Sequence, residues 1–219
     1  MICTPENMHF EPCMLAIQAG YHVLLEKPIA QKLEECQAIA EAAREKGVIV
    51  VVCHVLRYHP YFMKIKELVD SGELGNIITI NHRTLVGIDR MTHSFVRGPW
   101  RRESESNPML VSKCCHDLDF LLWMTKTRCR KLSSFGSLRW FKSVNAPEGS
   151  ALRCLDCRVE TKCPFSAVDL YRNRHEWISN FDVPPGKNID DVIEDQLQEG
   201  PYGRCVYHCD NDVVDHQIV

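Results

Sequence analysis

The sequence predicts an α/β protein in which the C-terminal part of a doubly wound domain is followed by a partial α+β domain with a mainly antiparallel sheet. Short apolar runs alternate with helical patterns over residues 1–57, which is typical of a parallel sheet with helices on both faces. The run 48–53 is continuous and rich in valine, as in a strand that is buried on both faces. Residues 77–85 alternate only loosely, as in a sheet with one solvated face.

Glycines mark the ends of the helices in the first part of the chain. Gly20 and Gly47 stand where a left-handed cap closes a helix. Residues 2–5 are similar to the end of a strand whose beginning is missing, so we expect the chain to be truncated there. The predicted elements are a helix that includes Met14 to Gln18, a strand at 21–25, a helix at about 32–46 and a strand at 48–53.

The rest of the chain predicts a second partial domain at 58–219, after a first one at 1–57. Residues 139–203 are irregular and rich in Pro, Gly and Cys, which indicates a Cys-rich insertion near 150–210. The elements predicted here are helices through 62–69, 107–126 and 189–199, and strands at 77–85, 132–138 and 213–219, the last of them cut short by a second truncation.

Composition and charge argue against several classes of function. The formal net charge of −3 gives no electrostatic reason to expect nucleic acid or a membrane surface as partner. The longest apolar run, 48–53, is far too short to cross a bilayer. Because no basic leader precedes Ile2, we expect a cytoplasmic protein. The twelve cysteines are then reduced thiols, since the adjacent pair Cys114–Cys115 within a helical pattern argues against a disulfide framework.

Several motifs together resemble one enzyme family. Residues 3–9 read Cys-Thr-Pro-Glu-Asn-Met-His, residues 19–28 read Ala-Gly-Tyr-His-Val-Leu-Leu-Glu-Lys-Pro, and residues 113–119 read Lys-Cys-Cys-His-Asp-Leu-Asp. Leu-Arg-Tyr-His-Pro at 56–60 and Gly-Pro-Trp-Arg at 98–101 add to the match. Over nearly its whole length the chain resembles the glucose–fructose oxidoreductase and inositol dehydrogenase family (Gfo/Idh/MocA), whose signature is the Glu-Lys-Pro loop.

The resemblance implies a Rossmann-type dinucleotide-binding domain at 1–57 and a substrate-binding domain at 58–219. It implies an enzyme that transfers a hydride between NAD or NADP and a secondary alcohol of a sugar, sugar derivative or cyclitol. The expected partners are a small carbohydrate substrate and further copies of the chain, as a homo-oligomer. Two alternatives are an NAD-dependent glycosidase with the same site and a non-catalytic, metal-stapled binding module.

The phosphate-binding part of such a cofactor site is not found in this sequence. The family carries a Gly-x-Gly-x-x-Gly fingerprint, and no such spacing of glycines occurs among the 219 residues. We therefore expect the chain by itself to orient one end of a dinucleotide without binding it tightly. By resemblance, the cofactor-binding residues are Thr4, Pro5, Asn7, His9, Glu26, Lys27, Arg57, Trp100 and Arg101.

Lys27 is the first candidate catalytic residue. Oxidation of a secondary alcohol needs a base for the hydroxyl proton and a positive group to stabilise the charge that develops on oxygen. A lysine on a loop after a parallel strand lies at the edge where doubly wound sheets bind ligands. The alternative is an ordinary solvated loop lysine beside a rigid proline.

His116 is the second candidate, as the general acid/base. Three residues separate it from Asp119, so on a helix the two share a face, with Lys113 one turn earlier. By resemblance, Asp119 binds a substrate hydroxyl or orients the ring, and we also assign substrate binding to His93. The alternative is a core histidine whose hydrogen bond Asp119 satisfies.

The sequence departs from the family four residues before this histidine. Many members carry an aspartate there as part of the catalytic set, and this chain has Ser112. Lys113 stands beside Ser112, and two neighbouring lysines lower each other's pKa by repulsion. Either Lys27 or Lys113 is therefore an alternative carrier of the proton.

The cysteine-rich segment predicts a structural zinc site or, equally, a set of plain reduced thiols. Cys154 and Cys157 form a Cys-x-x-Cys turn, and Cys163 follows five residues further on. Cys205 is assigned as the fourth ligand, with Cys209, His175 and His208 as alternatives.

Overall fold

The computed structural model describes all 219 residues, which form two compact units. The first unit consists of residues 1–84 and 106–132, and the second of residues 85–105 and 133–219. The helices are α1 (Phe10–Gln18), α2 (Leu33–Lys46), α3 (Pro60–Asp70), α4 (Ile88–Arg90), α5 (Met109–Ser112), α6 (Cys115–Thr125) and α7 (Ile189–Gln198), and the strands are β1 (Val23–Leu25), β2 (Val50–Val52), β3 (Phe135–Ser137) and β4 (His216–Ile218).

The first unit contains the predicted parallel sheet. β1 pairs in parallel with β2, and Ile2 forms a parallel bridge to Leu25 on the other side of β1. α1 and α2 pack against β1 through a core that contains Ile17, Leu25 and Ile39, all 2% exposed or less. The apolar faces of α1, α2 and β1 are buried together in this core, and their burial holds the two helices on the sheet.

The predicted ends of α1 and α2 are confirmed. Gly20 and Gly47 have φ of 82° and 64°, in the left-handed region that favours glycine. The prediction that 48–53 is buried on both faces is wrong, because Ile49 is 61% exposed and Val51 is 42% exposed.

The region after α3 differs from prediction in two ways. Residues 76–87 form no strand, and Ile78 and Leu85 are 89% and 84% exposed. The helix predicted at 107–126 is divided into α5 and α6 by a break at Lys113 and Cys114. In a continuous helix the carbonyl of Ser112 would accept from the amide of His116, and here it accepts from Lys27 Nζ at 2.8 Å.

The second unit is built around α7 and two π-helical segments, Met91–Arg97 and Val168–Asn173. Asn188 begins α7 with a capping box that Asp191 completes. Ile193 and Leu197 on α7 pack into a core with the fully buried Tyr171. β3 and β4 form the antiparallel pair of this unit.

Arg153 binds the end of α7 from a distant part of the sequence. Its guanidinium donates to the carbonyls of Gln196 at 3.2 Å, Leu197 at 2.9 Å and Gly200 at 2.7 Å. The carbonyls of Gln196 and Leu197 belong to the last turn of α7, which leaves them without backbone partners, so Arg153 caps the helix.

No helix combines the length and the apolar character that a membrane span requires; the longest, α2, has 14 residues.

Candidate active site

The loops that follow three parallel strand segments form one edge of the first unit. Thr4 follows the bridge at Ile2, Lys27 follows β1, and His54 follows β2. Because the carboxyl ends of parallel strands meet at the same edge, these residues are placed where doubly wound sheets bind ligands.

His9 fixes the shape of this edge. Its Nδ1 lies 2.8 Å from the carbonyl oxygen of Pro28 and its Nε2 lies 2.9 Å from that of Thr4, and the residue is 1% exposed. The Lys27–Pro28 peptide bond is cis. Through these two contacts His9 joins the Thr-Pro loop to the Glu-Lys-Pro loop, and its predicted cofactor binding stays a prediction.

Lys27 reaches the break between α5 and α6, next to His116, and the catalytic roles of both residues stay predictions. Lys27 Nζ donates to the Ser112 carbonyl, at the end of α5, and His116 lies in the first turn of α6. Burial lowers the pKa of His116, and the positive charges of Lys27 and Lys113 lower it further. Nδ1 of His116 is buried and has no hydrogen-bond partner in the protein. His116 is therefore a neutral imidazole at neutral pH, a form that can accept a proton.

Asp119 is bound by Arg57 in a two-point ion pair. The Arg57 Nε to Asp119 Oδ2 distance is 2.8 Å, and the Nη2 to Oδ1 distance is 2.5 Å. The structure pairs Arg57 with Asp119, while cofactor binding by Arg57 and substrate binding by Asp119 stay predictions. Two parallel charge-assisted hydrogen bonds of this kind fix the orientation of the Asp119 carboxylate.

His54 is a site residue that the sequence analysis missed. Its ring lies edge-on to that of His116, with centroids 6.0 Å apart, and its Nε2 lies 3.8 Å from Asp119. Burial lowers the pKa of His54, while Asp119 opposes this effect. Nδ1 of His54 is also buried without a partner. Its position directly after β2 and three residues before Arg57 was the signal that could have identified it.

The two unpartnered imidazole nitrogens are the chemical signature of this site. Buried polar atoms normally have hydrogen-bond partners, and one without a partner is costly. The two nitrogens belong to His54 and His116, whose ring centroids are 6.0 Å apart. A ligand with hydroxyl groups can satisfy such atoms, since a hydroxyl both donates and accepts.

Four further residues on this edge were predicted to bind cofactor. Thr4 Oγ1 donates to the Met8 carbonyl at 3.1 Å, and Asn7 is exposed. Glu26 Oε2 accepts from the amide of Lys27 at 3.3 Å, so its side chain turns back on its own loop. Cofactor binding by Thr4, Pro5, Asn7 and Glu26 stays a prediction.

Three residues that were predicted to bind substrate or cofactor lie in the second unit. His93 is 2% exposed, its Nδ1 lies 3.0 Å from Tyr171 Oη, and its Nε2 lies 3.3 Å from Asn180 Nδ2. The ring of His93 is buried within its own unit, and its predicted substrate contact stays a prediction. Arg101 forms ion pairs with Asp210 and Glu105, and Trp100 contacts Phe95. Cofactor binding by Trp100 and Arg101 stays a prediction.

The predicted zinc site is not confirmed. No group of three or more His, Cys, Asp or Glu side chains is placed to hold a metal ion, and no disulfide bond joins any of the twelve cysteines. Instead a fully buried guanidinium lies among the thiols, since Arg97 Nη2 is 3.7 Å from Cys154 Sγ and 2.7 Å from the Phe165 carbonyl. Burial also raises the pKa of the thiols of two other predicted ligands, whereas zinc binds thiolates. The four predicted ligands were Cys154, Cys157, Cys163 and Cys205.

The parallel strands, the helices packed on them and the loops at their carboxyl edge define an α/β domain of the Rossmann type. Residues 1–54 match the model of the oxidoreductase family with an NAD-binding Rossmann fold, GFO_IDH_MocA. Residues 62–155 match the GFO/IDH/MocA C-terminal domain. The two domains together account for more than half of the sequence, and the chain belongs to the Gfo/Idh/MocA family.

Relatives with known or assigned activities support this assignment. The chain is 42% identical over 79 residues to the scyllo-inositol 2-dehydrogenase (NADP(+)) IolW of Bacillus subtilis, a match that covers 36% of this chain and 22% of the relative. It is 28% identical over 178 residues to 1-carboxy-3-chloro-3,4-dihydroxycyclo hexa-1,5-diene dehydrogenase of Comamonas testosteroni, which covers 78% and 43%. The chain thus spans less than half the length of these relatives.

A solved structure shows the same fold. Apo scyllo-inositol dehydrogenase from Lactobacillus casei superposes with a TM-score of 0.51 at 24% identity, and the match covers 63% of this chain and 38% of that one.

Proposed function

We propose that the protein carrying this sequence is an NAD(P)-dependent oxidoreductase that oxidises a secondary alcohol of a sugar or cyclitol. The observation that carries the proposal is the meeting of Lys27, His116 and the unpartnered nitrogens of His54 and His116 at the carboxyl edge of the parallel sheet. The name of one relative, a scyllo-inositol 2-dehydrogenase, supports the same substrate class, and the name of the other is that of a dehydrogenase of a ring compound with two hydroxyl groups.

The residues of the chain fit the nicotinamide end of the cofactor and the substrate. NAD(P), when bound, accepts the hydride from the substrate carbon. Glu26, Lys27 and Thr4 lie on the loops that would contact it. The buried Nδ1 atoms of His54 and His116 have no hydrogen-bond partner within the protein, and a substrate hydroxyl group would be a suitable one. The glycine fingerprint that holds the diphosphate does not occur in this sequence.

One side chain takes the hydroxyl proton of the substrate, and another stabilises the negative charge that develops on the substrate oxygen. Neutral His116 takes the hydroxyl proton, because its lowered pKa keeps the ring unprotonated at neutral pH. The Lys27 ammonium, held by the Ser112 carbonyl, stabilises the negative charge that develops on the substrate oxygen. Asp119, fixed by Arg57, orients His54 beside His116.

The test is NAD(P)H formation at 340 nm by the protein that carries this sequence, with scyllo-inositol and a panel of cyclitols and aldoses. Lys27→Ala should reduce kcat/KM about a hundredfold or more, because it removes charge stabilisation specific to the transition state. The exposed Lys32 is the matched control, and Lys32→Ala should stay within about twofold of wild type. Equal activities of the Lys27→Ala and Lys32→Ala variants would contradict the assignment.

A further inference from the structure

Glu6 is a buried carboxylate at the edge that contains the candidate active site. The residue is 9% exposed, and its Oε2 accepts hydrogen bonds from Asn107 Nδ2 at 2.6 Å and from Ser112 Oγ at 3.0 Å. A carboxylate is rarely buried unless partners compensate the loss of water. The sequence analysis assigned Glu6 no role, so its burial requires an explanation.

Ser112 connects this carboxylate to Lys27. Its hydroxyl donates to Glu6, and its main-chain carbonyl accepts from Lys27 Nζ at 2.8 Å. A negative and a positive side chain therefore bind the two polar groups of the same residue. The orientation that Glu6 gives to Ser112 also sets the position of the carbonyl that holds Lys27.

The pKa of the Cys115 thiol is affected by both Lys27 and Glu6. Burial raises the pKa of this thiol, Lys27 and then the His116 amide lower it, and Glu6 and then Cys114 raise it. Both side chains therefore act on the same location in the site. The thiol is partly exposed and provides a reporter that does not depend on catalysis.

We propose that Glu6 is the positioning carboxylate of this site, which balances the charge of Lys27 and holds it in place through Ser112. Glu6 thus supplies, from the loop after Thr4 and Pro5, the negative charge that the family resemblance led us to expect at position 112. The inference rests on the proposed function, because it assigns Lys27 to the reaction.

The first experiment relocates the carboxylate. Glu6→Gln keeps the size of the side chain but removes its charge, and it should lower kcat about tenfold or more. Adding Ser112→Asp to Glu6→Gln should recover most of the loss, because a carboxylate again lies beside Lys27. Ser112→Asp in the presence of Glu6 should impair the enzyme, since two carboxylates would be adjacent.

The first experiment includes a control variant, and one of its outcomes would contradict the role proposed for Glu6. Glu11 is exposed on α1, so Glu11→Gln removes the same charge nearby and should leave kcat unchanged. If Glu6 only packed the loop, a carboxylate at position 112 would not restore kcat to the Glu6→Gln variant. Failure of the Glu6→Gln, Ser112→Asp protein to exceed Glu6→Gln in kcat would overturn the proposal.

The second experiment measures the charge at Cys115 without substrate or cofactor. The rate of Cys115 alkylation by iodoacetamide is followed against pH by peptide mass spectrometry, because the thiolate is the reactive form. The midpoint should move to lower pH in Glu6→Gln, to higher pH in Lys27→Gln, and should not move in Glu11→Gln. An unchanged midpoint in Glu6→Gln would overturn the proposal.

The two experiments separate the inference from the proposed function. Absence of polyol oxidation by the wild-type protein would refute the proposed function. The alkylation midpoints would then decide whether Glu6 is the charge partner of Lys27.

Discussion

The buried ring of His93 should make the stability of the second unit strongly dependent on pH. The imidazole is stacked between Tyr202, with centroids 4.7 Å apart, and Trp177, at 5.5 Å. Burial lowers its pKa from the ordinary 6.5 to about 4, and the charges of Arg90 and Arg97 contribute to the shift. The folded protein therefore keeps His93 neutral under conditions in which the unfolded chain would bind a proton.

The sign and size of the effect follow from these two pKa values. Above pH 6.5 neither state is protonated at His93, and its contribution is fully present. As the pH falls from 6.5 towards 4, the unfolded state gains a proton that the folded state does not, and stability is lost. The difference corresponds to about 3 kcal/mol in total, of which about 2 kcal/mol is lost between pH 7 and pH 5.

The assay is urea unfolding followed by tryptophan fluorescence at several pH values. Three of the four tryptophans, Trp100, Trp140 and Trp177, belong to the second unit, so the signal reports mainly on that unit. His93→Gln cannot titrate, and between pH 7 and pH 5 it should lose about 2 kcal/mol less than wild type.

His175 is the matched control in the same unit. Its side chain is 51% exposed, and His175→Gln should leave the pH dependence of unfolding as it is in wild type. Parallel pH profiles for wild type and His93→Gln would refute the reasoning.

Three further predictions concern single contacts. Asp119→Asn should lower the pKa of His54, measured by NMR titration of its ring protons, because Asp119 raises that pKa; an unchanged value would contradict the geometry of the pair. Gly203→Ala should reduce the unfolding free energy by about 1–3 kcal/mol, since its Cβ would lie 2.1 Å from a backbone carbonyl, whereas Gly87→Ala meets no atom within 4 Å and should be neutral. Asn188→Ala should cost about 1 kcal/mol in urea unfolding through loss of the α7 cap, and an unchanged midpoint would refute the role of the capping box.

The sequence predicted elements well where local signals determine them. Gly20 and Gly47 ended their helices as expected, and α7 was placed within one residue of its observed end. These features depend on nearest neighbours along the chain, namely glycine at positive φ and apolar spacing at the helical period.

Errors occurred where distant residues decide the structure. The break between α5 and α6 coincides with the Ser112 carbonyl that Lys27 binds from 85 residues away. Residues 77–85 have the alternation of a strand, but alternation does not reveal whether a partner strand is present.

The candidate site was predicted in part. Lys27 and His116 were identified from their motifs, and the structure brings them together. His54 and Glu6 were missed, because their roles depend on burial and on contacts that connect remote positions. The pairing of Arg57 with Asp119 was missed for the same reason.

The capping of α7 by Arg153 has a consequence for how the second unit folds. Arg153 and the carbonyl of Leu197 are separated by 44 residues, so the end of the helix is completed only when the intervening cysteine-rich segment has folded. The carbonyls of residues 196–200 and the segment around residue 153 therefore gain or lose their order together. In hydrogen exchange, the last turn of α7 should open in one cooperative step with that segment, whereas most helix ends fray independently.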